Sequence, residues 1–305
     1  MKTDKVYSGA YLLPRGNAEK KLTDGCLVLE GGAFRGVYTN GVIDRLLLAG
    51  IKLRTVVGVS AGALNGMCYA AGSIGVACRM NLIHRHDGRY VGIRPLLSDH
   101  GIMGYDYLFN DLRKILGFNF EEFNNPEHQL YAAVTNCITG EMEYYEKSSG
   151  MILDAIRASA SMPFVSRMVM VDGKPCLDGG CSHKIPLDFA LNRGYEKIVV
   201  VCTRPDGHRR KEKGSHDPAR IIYGRYPKLV ESMRASARDY NETREKIEEM
   251  GAKGRIVVIS PSKELNVRRL ETDMEKLGQL YHLGFNDTQN RLDELKQYLG
   301  SPDII

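Results

Sequence analysis

Hydrophobic and polar positions along the chain follow two periods in turn. Residues 26–30 form a short apolar run that ends in Gly31-Gly32, the pattern of a buried strand breaking into a turn. Over 37–49 the apolar residues Val42, Ile43, Leu46 and Leu47 return at helical spacing, with Gly50 as a stop signal. A second strand is predicted at 54–59 and a second helix, rich in small residues, at 61–71. Further strands are predicted at 130–136, 143–145 and 197–202, helices at 151–158 and 186–192, and a hairpin over 168–177 turning at Asp172-Gly173. Repeated strand–helix–strand succession predicts parallel strands joined by right-handed crossovers, hence an α/β fold. Beyond Lys228 the texture changes to a polar, charge-mixed helix at 229–250, an apolar strand at 255–260 and helices at 267–283 and 287–299. This tail either completes the main sheet or caps the core. The expected organisation is an extension at 1–21, a core at 22–203, and a basic loop with a mainly helical region at 204–305 packed on that core.

Composition narrows the classes. With 305 residues, 43% of them hydrophobic and 26% charged, the chain has the make-up of a globular protein. No apolar run approaches the roughly 18 residues of a membrane span, and the first residues lack the apolar stretch of a signal peptide. A cytoplasmic location is therefore expected, with the inner membrane face as a peripheral station. The seven cysteines are scattered without C-x-x-C pairs, which predicts buried thiols rather than a disulfide framework or a zinc site. No EF-hand-type loop occurs, and neither a metal nor another cofactor is expected.

Charge changes the picture at one place. The formal net charge is +5, and all of it lies between Arg204 and Lys228, where eight basic residues stand against three acidic ones. This segment follows the strand at 197–202, on the sheet edge where active sites of parallel sheets gather. It reads either as a contact for an anionic membrane surface or as a solvated connection. Nucleic acid is not an expected partner, because no aromatic interleaving or binding motif accompanies the charge.

Two glycine-rich turns carry the candidate chemistry. Gly58-Val59-Ser60-Ala61-Gly62 matches G-x-S-x-G and lies where a strand meets a helix. A serine at so sharp a turn is held in a tight backbone conformation, with glycines where a Cβ would collide. The following helix also directs its N-terminal N–H groups towards the serine. The plain alternative is a serine that caps the helix. Upstream, Glu30-Gly31-Gly32-Ala33-Phe34-Arg35-Gly36 fits neither common phosphate-loop pattern, but its packed amides suit an oxyanion hole, with Arg35 adding positive potential. Candidate bases are harder to rank. None of the eight histidines has a distinguishing context, and Asp178-Gly179-Gly180 reads as a turn much as Asp172-Gly173 does.

The ordered trio Gly31-Gly32-Ala33-Phe34-Arg35-Gly36, Gly58-Val59-Ser60-Ala61-Gly62 and Asp178-Gly179-Gly180 resembles the patatin-like phospholipase family. The resemblance spans about residues 22–203 and includes Ala158-Ser159-Ala160-Ser161-Met162-Pro163-Phe164. It implies a three-layer α/β/α fold with a mostly parallel central sheet, here with a helical C-terminal extension. It also implies a serine lipid acyl hydrolase with a Ser–Asp dyad and no histidine. Carried over by position, Ser60 is the nucleophile, Asp178 the base, and Gly31, Gly32 and Ala33 the oxyanion loop. Arg35, Gly36, Gly58, Gly62, Gly179 and Gly180 are supporting residues. The implied substrate is a lipid or other ester.

The chain departs from the family pattern in two places. Ala33 stands where the family's third glycine is usual, and Cys181-Ser182-His183-Lys184-Ile185-Pro186 lacks the usual Asn or Asp before the proline. His183 is a surface residue or an assistant in proton transfer. A dyad further requires that Asp178 be desolvated, since an exposed carboxylate is too weak a base for a hydroxyl. Met103, Tyr105, Tyr107, Leu108 and Phe109 are either core or the walls of an acyl trough. Two other readings stand beside the dyad: an α/β-hydrolase-type esterase with a Ser–His–Asp triad, and a lipid-binding regulator without turnover.

Overall fold

Alternate residues of the central strands enter two separate cores, and this division sets the layers. The computed structural model describes residues 5–98, 101–211 and 218–300. Glu212, Lys213, His216 and Asp217 of the basic segment lie outside the described residues. In β1 (Thr23–Leu29), Leu27 and Leu29 join one core while Cys26 and Val28 join the other, and all four are fully buried. A strand buried on both faces needs a helical layer on each side. One layer holds α1 (Val37–Leu48) and α2 (Ala61–Ala70), reached through β2 (Leu53–Val59). The opposite layer holds α4 (Leu187–Asn192) and α5 (Pro227–Ala252), which contribute Phe189, Tyr240 and Ile247 to the second core.

The remaining strands are β3 (Gln129–Asn136), β4 (Met142–Glu146), β5 (Val169–Val171), β6 (Lys174–Asp178), β7 (Ile198–Val201) and β8 (Val257–Ile259). The helix α3 (Ile152–Ser159) precedes the β5–β6 hairpin. The sheet order is β8-β7-β1-β2-β3-β6-β5, with β4 also on β3. From β8 to β3 every neighbouring pair is parallel, as the alternating pattern predicts. The pairs β3–β4, β3–β6 and β5–β6 are antiparallel.

One register detail positions the site. The pairing of β2 with β3 ends at Val59 opposite Ala133. The next residue of β3, Val134, pairs with Asp178 at the end of β6. Because β4 occupies the other edge of β3 at these residues, β6 takes over the edge that β2 leaves. The residue that leaves β2 is Ser60, so the ends of two strands distant in sequence meet on one neighbour.

The C-terminal tail does both things the pattern allowed. Its strand β8 extends the sheet beside β7, and its helix α6 (Met274–Gln289) lies along α1. The predicted helix at 267–283 begins later than the periodicity indicated. Asp273 caps α6 by accepting from the Lys276 N–H at 3.0 Å, which leaves 267–273 irregular and free to follow the core surface. A break at Asn290-Arg291 separates α6 from α7 (Leu292–Leu299). Described residues ahead of β1 are pinned as well: Gly16–Asn17 pairs with Ser73–Ile74, and Tyr7 donates its N–H to the Leu82 carbonyl. No helix among the described residues is long and apolar enough to cross a membrane.

Candidate active site

The turn at Ser60 is made in a single residue, between the last pair of β2 and the first turn of α2. Its backbone has φ 57° and ψ −122°, outside the regions an L-residue prefers. The turn closes only because its flanks are glycine. A Cβ on Gly62 would stand 2.4 Å from the Leu29 carbonyl oxygen, and one on Gly58 would stand 2.4 Å from the Gly62 carbonyl carbon. The Ser60 side chain does not cap α2. Its Oγ instead donates to Asp178 Oδ2 at 2.8 Å, and both residues are only 7% exposed.

Asp178 is fixed from several directions. Its Oδ1 accepts from the Gly180 N–H at 2.7 Å, and its own N–H donates to the Ser161 carbonyl. Gly179 packs too closely on the Ala133 carbonyl for any side chain. Burial raises the Asp178 carboxyl above the ordinary aspartate range, against the opposing pull of the Ser60 and Gly180 hydrogen bonds and of Lys184 and Arg269. Desolvation is thus the dominant influence, the condition that proton abstraction by this carboxylate requires.

The segment 158–164 braces the pair. Ser159 Oγ accepts from the Ser60 N–H at 2.8 Å and donates to the Ala133 carbonyl. The serine turn is therefore tied to Ser159 at the end of α3, and the aspartate strand to Ser161 just beyond it. This bracing role was not read from the sequence, where 158–164 entered only through resemblance.

The glycine loop divides differently from the expectation. Gly31 donates its N–H to the Lys184 carbonyl at 3.0 Å, so that amide is committed to the backbone and is not open to a developing oxyanion. Gly32 and Ala33 follow, and Ala33 lies beside Ser60 in the wall of the cleft with φ 51°. Positive φ explains why glycine suits this position; here alanine occupies it. Gly36 touches Ala61, which seats the loop against the start of α2. Arg35 is 7% exposed, and burial followed by neighbouring Arg204 holds its guanidinium down to about 10.

An apolar cleft, open to solvent, has Ser60 in its wall. Leu64, Met80, Met103, Tyr105, Leu108 and Leu270 supply much of its wall. Met103, Tyr105 and Leu108 were among the trough candidates; Tyr107 and Phe109 are buried without lining it. Leu270 is not among the sequence candidates, since the apolar spacing predicts a helix over 267–283.

No described histidine reaches the pair. His183 is exposed, His282 contacts Tyr7, and His208 faces Tyr240. Asp178 occupies the position against Ser60 Oγ that a triad assigns to histidine.

The first part of the basic segment folds back on its neighbours, whereas Lys211, Arg220, Arg225 and Lys228 are exposed. Arg204 pairs with Glu264, Arg209 with Glu248 at 2.8 Å, and the Arg210 guanidinium lies 4.7 Å over the Tyr240 ring. Of the two readings of 204–228, a solvated connection does not describe Arg204, Arg209 and Arg210, which have protein partners.

Comparison with known proteins places this geometry. The patatin-like phospholipase family model matches residues 27–191, just over half of the chain, and a domain of unknown function (DUF6363) matches 226–300. The chain is 26% identical to the uncharacterised protein YjjU of Escherichia coli, over 85% of this chain and 74% of that one. It is 22% identical to a probable lipid hydrolase, 463L, of Invertebrate iridescent virus 6, covering 58% and 69% respectively. It is 27% identical to the lysophospholipase NTE1 of Candida albicans over 57% of this chain, which spans only 13% of that longer protein.

Proposed function

The chain belongs to the patatin-like phospholipase family, hydrolases of carboxylic esters, and from that premise we propose that it cleaves lipid esters through a Ser60–Asp178 dyad and an acyl-enzyme. Ser60 Oγ attacks the ester carbonyl carbon as its proton passes to Asp178 Oδ2. The N–H groups of Gly32 and Ala33 hold the oxyanion, since that of Gly31 is already donated. The acyl–oxygen bond breaks and the alcohol leaves with the proton from Asp178. Water, activated by the same carboxylate, then releases the fatty acid. The apolar cleft that Ser60 lines holds the acyl chain.

The observation that carries this reading is the 2.8 Å hydrogen bond between Ser60 and Asp178, both buried and with the serine in a strained turn. The lipid hydrolase and lysophospholipase among the relatives favour a lipid ester as substrate. Contact with a membrane is proposed through the outward part of the basic segment. Arg220, Arg225 and Lys228 are exposed there beside Ile221 and Ile222, which are 80% and 58% exposed. Tyr223 of the same turn packs on Phe164, two residues past Met162 in the cleft wall.

Labelling with a fluorophosphonate probe tests the dyad. Wild type is expected to label, Ser60→Ala not at all, and Asp178→Asn far more slowly. Each variant should lose roughly 10³-fold or more in kcat on a short-chain ester. Strong labelling of Asp178→Asn would exclude Asp178 as the base, and an unlabelled but folded wild type would remove the serine mechanism altogether.

A further inference from the structure

Lys184 touches both loops of the site, yet the mechanism above gives it no role. Its carbonyl accepts from the Gly31 N–H at 3.0 Å, which anchors the glycine loop. Its side chain turns back to the aspartate loop, where Nζ donates to the Gly180 carbonyl. Gly180 carries that contact on to the dyad. Its N–H donates at 2.7 Å to Asp178 Oδ1, the carboxylate oxygen that Ser60 leaves free. Both polar groups of Gly180 are therefore committed, one to the carboxylate and one to the lysine. A Cβ on Gly180 would stand 3.0 Å from Asp178 Oδ1 and 3.5 Å from Lys184 Cγ, so glycine leaves room for both to close on it. A carboxylate free to turn about its Cβ–Cγ bond would present Oδ2 to Ser60 for only part of the time. Holding Gly180 holds Oδ1, and a held Oδ1 keeps Oδ2 against Ser60 Oγ.

The lysine is itself held from a distant part of the chain. Its Nζ also donates to Ser236 Oγ at 2.6 Å, and Ser236 is a buried residue of α5. Ser236 Oγ lies 3.4 Å from the Gly180 carbonyl as well, so the three groups form one cluster. Neither hydrogen-bond partner of the ammonium carries a charge. Its positive charge is therefore not cancelled by a bonded carboxylate. It acts on Asp178, which Lys184 and Arg269 together draw towards the ionised form. Burial and then Arg210 hold Lys184 down to about 8, with Arg269 adding to them and Asp178 and Cys181 opposing. The ammonium is thus charged throughout the acid range.

We propose that Lys184 is a positioning residue of the dyad: held by Ser236 of α5, it locks Gly180 and through it the Asp178 carboxylate, while its carbonyl sets the glycine loop. This role rests on the dyad reading. It carries the supports of the active site beyond residues 27–191, because α5 begins at Pro227. The C-terminal part of the chain then aims the base as well as covering the core.

Full-length Lys184→Met, Lys184→Arg and Ser236→Ala test this role, with kcat, KM and the pH profile of kcat/KM measured on a short-chain ester. Lys184→Met is expected to lose about 10²-fold in kcat with KM nearly unchanged, the pattern of a misdirected base. Its acid limb should move up by about one pH unit, since a cation that favours the ionised carboxylate is gone. Lys184→Arg keeps the charge and should return the limb to its wild-type position and recover most of kcat. Ser236→Ala should lower kcat by about tenfold with the limb in place. Should Lys184→Met not fold, Lys184→Gln carries the same comparison, neutral but still able to donate to Gly180. A fall in kcat with the acid limb unmoved would mean lost packing alone and would overturn the proposal. Wild-type kinetics in Lys184→Met, or a limb that Lys184→Arg leaves displaced, would do the same. Wild-type kinetics in Ser236→Ala would overturn the part given to α5. Failure of the dyad itself reads out separately, because Asp178→Asn would then label with the probe like wild type whatever the lysine variants do.

Discussion

Ser60 and Asp178 illustrate how single residues are held against their own preferences. The serine backbone, at φ 57° and ψ −122°, is disfavoured by roughly 1–3 kcal/mol, and the fixed ends of β2 and α2 impose it. Asp178 is buried where its charged form is disfavoured, which makes its carboxylate a stronger base. The acid limb of the kcat/KM profile is therefore expected above the ordinary aspartate value of 3.8, with activity present above that limb and lost below it. A limb at or below 3.8 would contradict a desolvated base. The sign for stability is the reverse. Folded Asp178 keeps its proton to higher pH than the unfolded chain does, so stability falls as pH rises through the interval between the two values. Asp178→Asn should accordingly melt no lower than wild type at pH 8 while being inactive. Ser60 stands out from its own turn motif, whereas Asp178 stands out from Asp172 only through the resemblance carried by the ordered trio. The commitment of the Gly31 amide to Lys184 carries no such signal, because that partner is supplied by the fold across 153 residues of chain.

At the scale of elements, local signals marked most helices and strands, and long-range partners decided where some of them end. The helix α6 starts at Met274 because of the Asp273 cap, although apolar spacing extends further upstream. That shift frees 267–273 to bring Arg269 and Leu270 to the loop. The entry to β2 depends on another distant partner. Lys52, 1% exposed, is paired with Glu122, 3% exposed, on the short helix Phe120–Phe123. Removing one member of a buried pair leaves the other charge uncompensated, so Lys52→Met should destabilise by about 3–5 kcal/mol in urea unfolding. The double change Lys52→Met with Glu122→Leu should recover most of that loss. Additive losses would show that the pair contributes packing rather than charge compensation. A lysine and a glutamate 70 residues apart carry no sequence signal of this pairing.

At the scale of the molecule, the ends of the chain close the core. Along the α1–α6 contact, a Cβ on Gly41 would stand 2.0 Å from the Tyr281 carbonyl oxygen, and one on Gly284 would stand 2.1 Å from that of Tyr38. Two cross-bonds complete the contact, Tyr38 to Asp287 and Tyr281 to Asp44, each at 3.1 Å. Tyr7 then packs on α6 at Gly278 and meets His282 at 3.0 Å. We expect a chain ending at residue 203 to lack a cooperative thermal transition, since it would expose the whole α6 face of α1. A soluble, probe-reactive 1–203 would make the first part an autonomous domain. The sequence by itself determined the alternation of strands and helices, the serine turn and the order of the three motifs, because apolar period and glycine placement are local properties of a chain. Only the tertiary structure decided that β6 takes the edge of β3 that β2 leaves, setting Asp178 against Ser60. It also decided that Arg204, Arg209 and Arg210 fold back on neighbouring elements while Arg220, Arg225 and Lys228 stay exposed. Both depend on contacts between residues far apart in the chain, where burial and charge act through space and leave no periodic trace.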